Sequence, residues 1–384
     1  VRLIRIAVPL LLFSLLAVGC GVAAAPSRLT PVWAERYVPN TLQVAGVPTI
    51  GGGRIVVSGP TGDLTAFDLS TGRQLWQRQV VPDTSVLPGP PLIVGSSVLV
   101  MAGTELGAYA LTTGAPLWHT APRGLSLGSP QLLPSAGLIV LPAAGLPLYD
   151  AADGRLVRLL APGLHPHPTT DNLAVVGSDL LVVTAGGTVQ AYDGSGRLLW
   201  TAAAPPVSAA PGQTVHTALV GVDTGSGGVA LAMEGVSITC PTCVQDGTVQ
   251  AVGLAWATGR VLWTQSSGSD LPVVAAAGVP VAVEAGQGVA VSLSDGRVLW
   301  RLQQQSDRFY TSLQLAQGRL LAYDPGHGTL LLVDPRTGRI IARQSVPYAA
   351  GLAGVATSRP QMAVGGGYVV VTTSDGHLAA FRLG

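Results

Sequence analysis

The stretch Ala66-Phe67-Asp68-Leu69-Ser70-Thr71-Gly72-Arg73-Gln74-Leu75-Trp76 decides the fold, because it comes back. It recurs as Ala108-Tyr109-Ala110-Leu111-Thr112-Thr113-Gly114-Ala115-Pro116-Leu117-Trp118, and one residue shorter as Ala191-Tyr192-Asp193-Gly194-Ser195-Gly196-Arg197-Leu198-Leu199-Trp200. The ending Gly-Arg-Val-Leu-Trp stands at Gly259 to Trp263 and again at Gly296 to Trp300. Two copies keep the corner and lose the indole: Gly154-Arg155 leads to Arg158, and Gly338-Arg339 leads to Ala342. The corner glycines are therefore Gly72, Gly114, Gly154, Gly196, Gly259, Gly296 and Gly338, most of them about 42 residues apart. Six of the seven tryptophans (Trp33, Trp76, Trp118, Trp200, Trp263 and Trp300) fall on the same grid, and only Trp256 lies off it.

Around this string each unit has one grammar. A β-rich run such as Pro91 to Met101 precedes a glycine-containing turn, an alternating strand follows, and a tight corner leads to a short strand that carries the tryptophan. Glycine at the corner implies a backbone with positive φ, where a β-carbon is costly. Antiparallel hairpins with no helical period between them predict an all-β repeat fold. A four-stranded sheet of this size cannot bury both of its faces alone. Sheets ranged radially about an axis can, which predicts a β-propeller. The indole is expected on the outermost strand, filling the wedge between neighbouring blades, with Ala66, Ala108 or Ala191 small enough to leave it room.

Chain closure sets the number of blades. The C-terminal stretch Gly376 to Gly384 ends where a third strand would end, and Pro31-Val32-Trp33-Ala34-Glu35-Arg36 supplies a tryptophan strand out of order. Adding that N-terminal strand as the outer edge of the last blade closes the ring and covers an open sheet edge. Outer-strand markers at 33, 76, 118, 158, 200, 263, 300 and 342 then predict eight blades, or seven if one degenerate unit does not form.

Composition narrows the function. Charged residues make up 11% of the 384 and the net charge is +1; all 21 basic residues are arginines, with no run that could track a phosphate backbone. Nucleic acid is not an expected partner. Mean hydropathy is high at +0.45, with 50 Gly and 29 Pro. Outside the first segment, though, apolar residues come in short runs broken by Gly, Pro and Ser, as buried strands require.

The first segment reads as an export signal over 1–19. Arg2 and Arg5 precede an apolar stretch from Ile6 to Val18 that Pro9 interrupts and that is short for a bilayer span. Val1 is read as an alternative start codon translated as methionine. Ala17-Val18-Gly19-Cys20 resembles a bacterial lipobox, which implies lipidation of Cys20, departing only in Ala17 where leucine is usual; the other reading is an ordinary signal peptide with a chance cysteine. Residues 20–30 then form the lipidated cysteine and a tether, and 31–384 the propeller.

Ala66 to Trp76 resembles the tryptophan-docking motif of PQQ-type (quinoprotein-like) propeller repeats, and the resemblance runs over about residues 31–384. Its motif is structural in every blade. Within that group the chain is similar to the small lipid-anchored outer-membrane assembly lipoproteins (BamB). This implies a non-catalytic scaffold or adaptor outside the cytoplasmic membrane, monomeric, held by its lipid and bound to other envelope proteins, with no cofactor. A small-ligand or envelope sensor and a PQQ-dependent oxidoreductase are the alternatives. Quinoprotein dehydrogenases are typically much longer and pair a stacking tryptophan with adjacent cysteines, calcium and a catalytic aspartate. Here Cys240 and Cys243 are separated by two residues, and Trp256 is the one spare indole.

Cys240-Pro241-Thr242-Cys243 lies in an insertion that lengthens the fifth repeat to 63 residues, expected between strands ending near Met233 and starting near Thr248. In an exported chain the pair reads first as a disulfide, with a redox or adhesive role and a metal site as the other readings. His165-Pro166-His167-Pro168 reads as a stiff connector, since alternate residues of an extended segment point to opposite sides. Asp223, Glu234 and Asp246 lack the spacing of a calcium loop. Gly51-Gly52-Gly53 and Gly365-Gly366-Gly367 read as turns between strands. Ligands of propellers usually meet the face built from connectors between blades, where Asp83, Arg123, His165, His167, Asp270, Arg308 and Tyr310 are the candidate residues.

Overall fold

A computed structural model describes residues 27–37, 47–59, 61–81, 89–122, 130–133, 137–166, 173–176, 178–184, 187–203, 213–222, 229–240, 243–267, 273–276, 279–284, 287–292, 294–302, 312–324, 327–347, 361–373 and 376–384. Every regular element among them is a β-strand, and these form eight four-stranded antiparallel sheets. Blade 1 consists of β2 (Pro48–Gly51), β3 (Arg54–Ser58), β4 (Asp63–Asp68) and β5 (Gln74–Gln79), hydrogen-bonded in chain order from the axis outward. Blades 2, 3 and 4 repeat this order as β6–β9 within 92–120, β10–β13 within 131–159 and β14–β17 within 173–203. Blade 5 is β18 (Gln213–Val222), β19 (Val229–Cys240), β20 (Cys243–Ala255) and β21 (Val261–Ser267). Blades 6 and 7 are β22–β25 within 273–302 and β26–β29 within 312–345. Both degenerate units, those carrying Arg158 and Ala342, form complete sheets.

The eighth sheet closes the ring. β30 (Gln361–Gly365), β31 (Tyr368–Thr372) and β32 (His377–Leu383) are completed by β1 (Leu29–Arg36) as the outer strand. Leu29 pairs with Leu383 and Arg36 with His377, with a bulge between Pro31 and Trp33. The amides of Ser27 and Arg28 both donate to the Gly384 carbonyl, so the first and last strands of the propeller meet at the corner of this blade. Because β1 begins at Leu29, the strand takes in two residues that the sequence reading assigned to the tether.

The core lies between the blades, and the strand period of two builds it. In β3, Ile55 and Val57 turn toward Val370, Leu378 and Ala380 of blade 8, while Val56 between them packs with Val98 and Val100 of blade 2. All three are fully buried, each removing roughly 1.5–3 kcal/mol worth of apolar surface from water. This double burial is why the middle strands read as continuous Val, Leu and Ile.

Each corner is closed in one way. In blade 1 the Gly72 amide donates to the Asp68 carbonyl at 2.9 Å and the Asp68 amide to the Arg73 carbonyl at 2.9 Å. The other six corners repeat the first bond, with the shortened corner at Gly196 bonding to Asp193. All seven corner glycines have positive φ, from +67° to +87°. Positive φ is half of the reason for glycine there. At six corners the indole of the preceding blade rests on the glycine: Trp33 on Gly72, Trp76 on Gly114, Trp118 on Gly154, Trp200 on Gly259, Trp263 on Gly296 and Trp300 on Gly338. A β-carbon on any of these would overlap the ring. The wedge expected for the indole is thus floored by the next blade's corner. The small residue opposite it on β4 is real as well, since Ala66 pairs with Trp76. In blade 5 that place is taken by Gly253, whose β-carbon would overlap Trp263.

Candidate interaction face

Because every blade runs in the same order, the turns between its second and third strands share one face with the connectors that lead to the next blade. Several polar groups described on this face close their own turns. Asp63 is buried and accepts from Thr61 Oγ1 (2.6 Å), Thr65 Oγ1 (3.0 Å) and Gln77 Nε2 (2.7 Å). His327 Nδ1 lies 2.9 Å from Asp324 Oδ2, and the hydroxyls of Thr184 and Thr188 are 2.8 Å apart. Each pair holds a tight turn shut, and none converges on a common point.

The connector residues Asp83, Arg123, His167, Asp270, Arg308 and Tyr310 lie outside the described residues, as do Cys20 and Asp223. His165 is exposed beside Pro166, which bridges to Thr184. Glu234 pairs with Gln250 and Asp246 with Ser237, three rungs apart or about 10 Å along the sheet, so the register does not bring these two together. Among the described residues no group of three His, Cys, Asp or Glu is placed to hold a metal ion. Trp256, the spare indole, sits in the corner between β20 and β21, where its carbonyl accepts from Trp200 Nε1 and its ring packs on the cluster shared by blades 4 and 5. It is a rim residue, remote from the axis.

What distinguishes this face is in blade 5. The insertion, expected between strands ending near Met233 and starting near Thr248, is not a loop. β19 and β20 continue through it as a paired ribbon from Glu234–Gln250 to Cys240–Cys243, bulged between Gly235 and Ser237. β18 follows the ribbon as a third strand, from Gln213 paired with Ile238 onward. Relative to the short turn between β3 and β4, the ribbon stands out from the face by six rungs, roughly 20 Å. Pro241 and Thr242, at its tip, lie outside the described residues, and Cys240 and Cys243 face each other across the backbone ladder. Alternation over Val236-Ser237-Ile238-Thr239 and Thr248-Val249-Gln250 was the signal for this ribbon.

The sequence profile of the family described as outer membrane protein assembly factor BamB matches residues 28–159 and 245–384, more than half of the chain. The chain belongs to the BamB family. Outer membrane protein assembly factor BamB of Yersinia pestis is 24% identical over 343 residues, covering 86% of this chain and 80% of that one. The crystal structure of BamB from Moraxella catarrhalis superposes with a TM-score of 0.64 at 17% identity, over 92% of this chain and 99% of the other. Quinohemoprotein alcohol dehydrogenase from Comamonas testosteroni superposes with a TM-score of 0.60 at 12% identity, over 93% of this chain and 77% of that one. These likenesses extend the propeller fold to both proteins. The unmatched interval of the BamB profile, 160–244, holds blade 4, β18 and β19, and so one side of the projecting ribbon.

Proposed function

We propose that this chain is a non-catalytic, extracytoplasmic, lipid-anchored scaffold that binds other envelope proteins and serves outer-membrane protein assembly. Membership of the BamB family carries the reading. Its corner motifs are consumed in packing blade on blade, which leaves the faces of the propeller as the working surfaces. The connector face is the binding face in this proposal, and the blade 5 ribbon is its distinguishing contact, since edge strands that project from a fold offer backbone groups and alternating side chains to a partner. Cys20 is the proposed point of lipid attachment.

Capture of the tagged full chain from detergent-solubilised envelopes, followed by mass spectrometry, tests the reading. Enrichment of other outer-membrane protein assembly factors is expected, and it should fall when residues 235–248 are replaced by a two-residue turn. Lipid labelling should be lost in Cys20→Ser. Turnover of an alcohol on addition of PQQ and calcium, with no envelope protein captured, would overturn the scaffold reading in favour of an oxidoreductase.

A further inference from the structure

We infer that the face carrying the corner turns, opposite the connector face, is a lipid-contact surface that lies against anionic headgroups, an inference that rests on the proposed anchor at Cys20. Three observations lead there. The chain enters the propeller at the corner of blade 8, where Ser27 and Arg28 meet Gly384. From Cys20 to that corner is eight residues, at most about 28 Å of extended chain. Strands of five or six residues make the blades about 17–20 Å tall, so a tether leaving the corner face would have to cross the full height of the ring before the connector face could reach the lipid.

Charge is distributed to match. Six arginines, Arg73, Arg155, Arg197, Arg260, Arg297 and Arg339, directly follow corner glycines, and all six are exposed. Across the corner turns and the segments joining first to second strands, strand-end residues included, ten arginines stand against eight aspartates, a net of +2 on a chain whose total is +1. The aspartates are engaged in the turns. Asp68 and Asp193 each accept from a serine hydroxyl and two backbone amides, and Asp150 and Asp334 each accept a turn amide. Guanidinium groups are left as the outermost charges; Arg197, though paired with Asp193, keeps 76% of its side chain exposed.

Beside the charge lies exposed apolar surface. The large hydrophobic side chains exposed among the described residues are all on outermost strands, two or three places past a corner: Leu117, Val157, Leu198, Leu199, Val261, Val298 and Leu299, with Val32 at the equivalent place in β1. The residue just before each outer-strand marker is aliphatic in all eight blades. Arginine followed by an exposed aliphatic residue, repeated around a rim, suits the boundary between headgroups and acyl chains, where guanidinium meets phosphate and the aliphatic group leaves water.

The full lipidated chain, reconstituted on vesicles of phosphatidylcholine or of phosphatidylcholine with 30 mol% phosphatidylglycerol (about the anionic content that gives a clear surface potential), tests this. Reactivity of each arginine toward phenylglyoxal is read by mass spectrometry. On anionic vesicles the six corner arginines should react at least about fivefold more slowly than in detergent, while Arg36, at the connector-face end of β1 opposite His377, changes less than about twofold. The exposed double variant R197E/R297E should lose most of that protection while keeping its β-sheet circular dichroism. Equal protection of the corner arginines and Arg36, or protection centred on Arg36, would overturn the inference. The anchor is read separately: retention on phosphatidylcholine vesicles in high salt, lost in Cys20→Ser, reports the lipid alone, and wild-type release there would sink the anchor.

Discussion

Trp76 of blade 1 rests on Gly114 of blade 2: its indole Nε1 donates to the Leu111 carbonyl at 3.0 Å, and a β-carbon on Gly114 would lie 2.6 Å from the ring. Trp33 to Leu69 (3.0 Å) and Trp300 to Pro335 (2.8 Å) repeat the bond across other blade junctions. These three junctions are thus hydrogen-bonded stacks between an outer strand and the next blade's turn, and several consequences can be measured.

Gly114→Ala places a β-carbon both at φ +68° and inside the Trp76 contact. It should cost about 2–4 kcal/mol, combining the left-handed backbone term with overpacking. Gly95→Ala has a similar φ, +58°, with nothing within 4 Å, and should cost only about 1 kcal/mol. Urea denaturation of the two variants separates the terms; equal losses would show that the indole moves aside freely.

Trp118 also stacks on a corner, Gly154, but its buried Nε1 has no hydrogen-bond partner among the described residues. Phenylalanine keeps an aromatic ring and removes the N–H. Trp76→Phe should therefore destabilise by about 1 kcal/mol more than Trp118→Phe, the net worth of one hydrogen bond. Thermal midpoints of the two variants check the order.

The corner carboxylates make the turns acid-sensitive. The Ser70 hydroxyl, then that of Thr71 and the two backbone amides, holds Asp68 at about 2 against an ordinary 3.8. Asp193 is likewise held at about 2, chiefly by the Ser195 hydroxyl. A depressed carboxyl stabilises the fold above its unfolded pKa and loses that contribution as pH falls through the folded one. The gap between wild type and Asp68→Asn should therefore be full above about pH 5 and be lost as pH falls through about 2. It should be small, since the group is exposed. Thermal midpoints across that range decide the sign.

β1 closes the ring, and Trp33 locks it to blade 1 through Gly72 and Leu69. Trp33→Ala should weaken that closure locally. Amide exchange over 361–383 is expected to rise at least about tenfold, while strands of blade 3 keep their protection, as local opening in a repeat fold predicts. Uniform acceleration around the ring would contradict a local lock.

The ribbon register sets Cys240 opposite Cys243. We propose that they form a disulfide in the exported protein. Peptide mapping of the full chain without reductant should find a peptide lighter by the two hydrogens lost on oxidation, restored by reduction; two free alkylatable thiols would refute the bond.

Recurrence of Gly-x-x-x-Trp at a near-constant interval was enough to read the sheets, their number and the closure by the strand around Trp33. A repeat protein writes each local interaction several times, so chance is averaged out. Even the lost indoles follow the same register: Arg158 and Ala342 stand where Trp76 stands, paired with Leu148 and Leu332. What replaces the stack was not legible. Arg158 reaches across to the Gly194 carbonyl at 2.9 Å, and Ala342 precedes the blade 8 corner, where Gly384 bonded to Ser27 and Arg28 replaces the continuous left-handed glycine turn.

Turn conformation and strand period are local properties, decided within a few residues by backbone sterics and burial, and the amino-acid order alone determined them here. Contacts between blades join residues about 35 apart, and the direction in which a face or a tether points is set only when all the sheets are ranged in one sense about the axis. Tertiary structure alone therefore decided that the corner glycines carry the neighbouring indoles. The same long-range geometry turned the inserted segment into a projecting ribbon and gathered the arginines of separate repeats on the face where the chain enters.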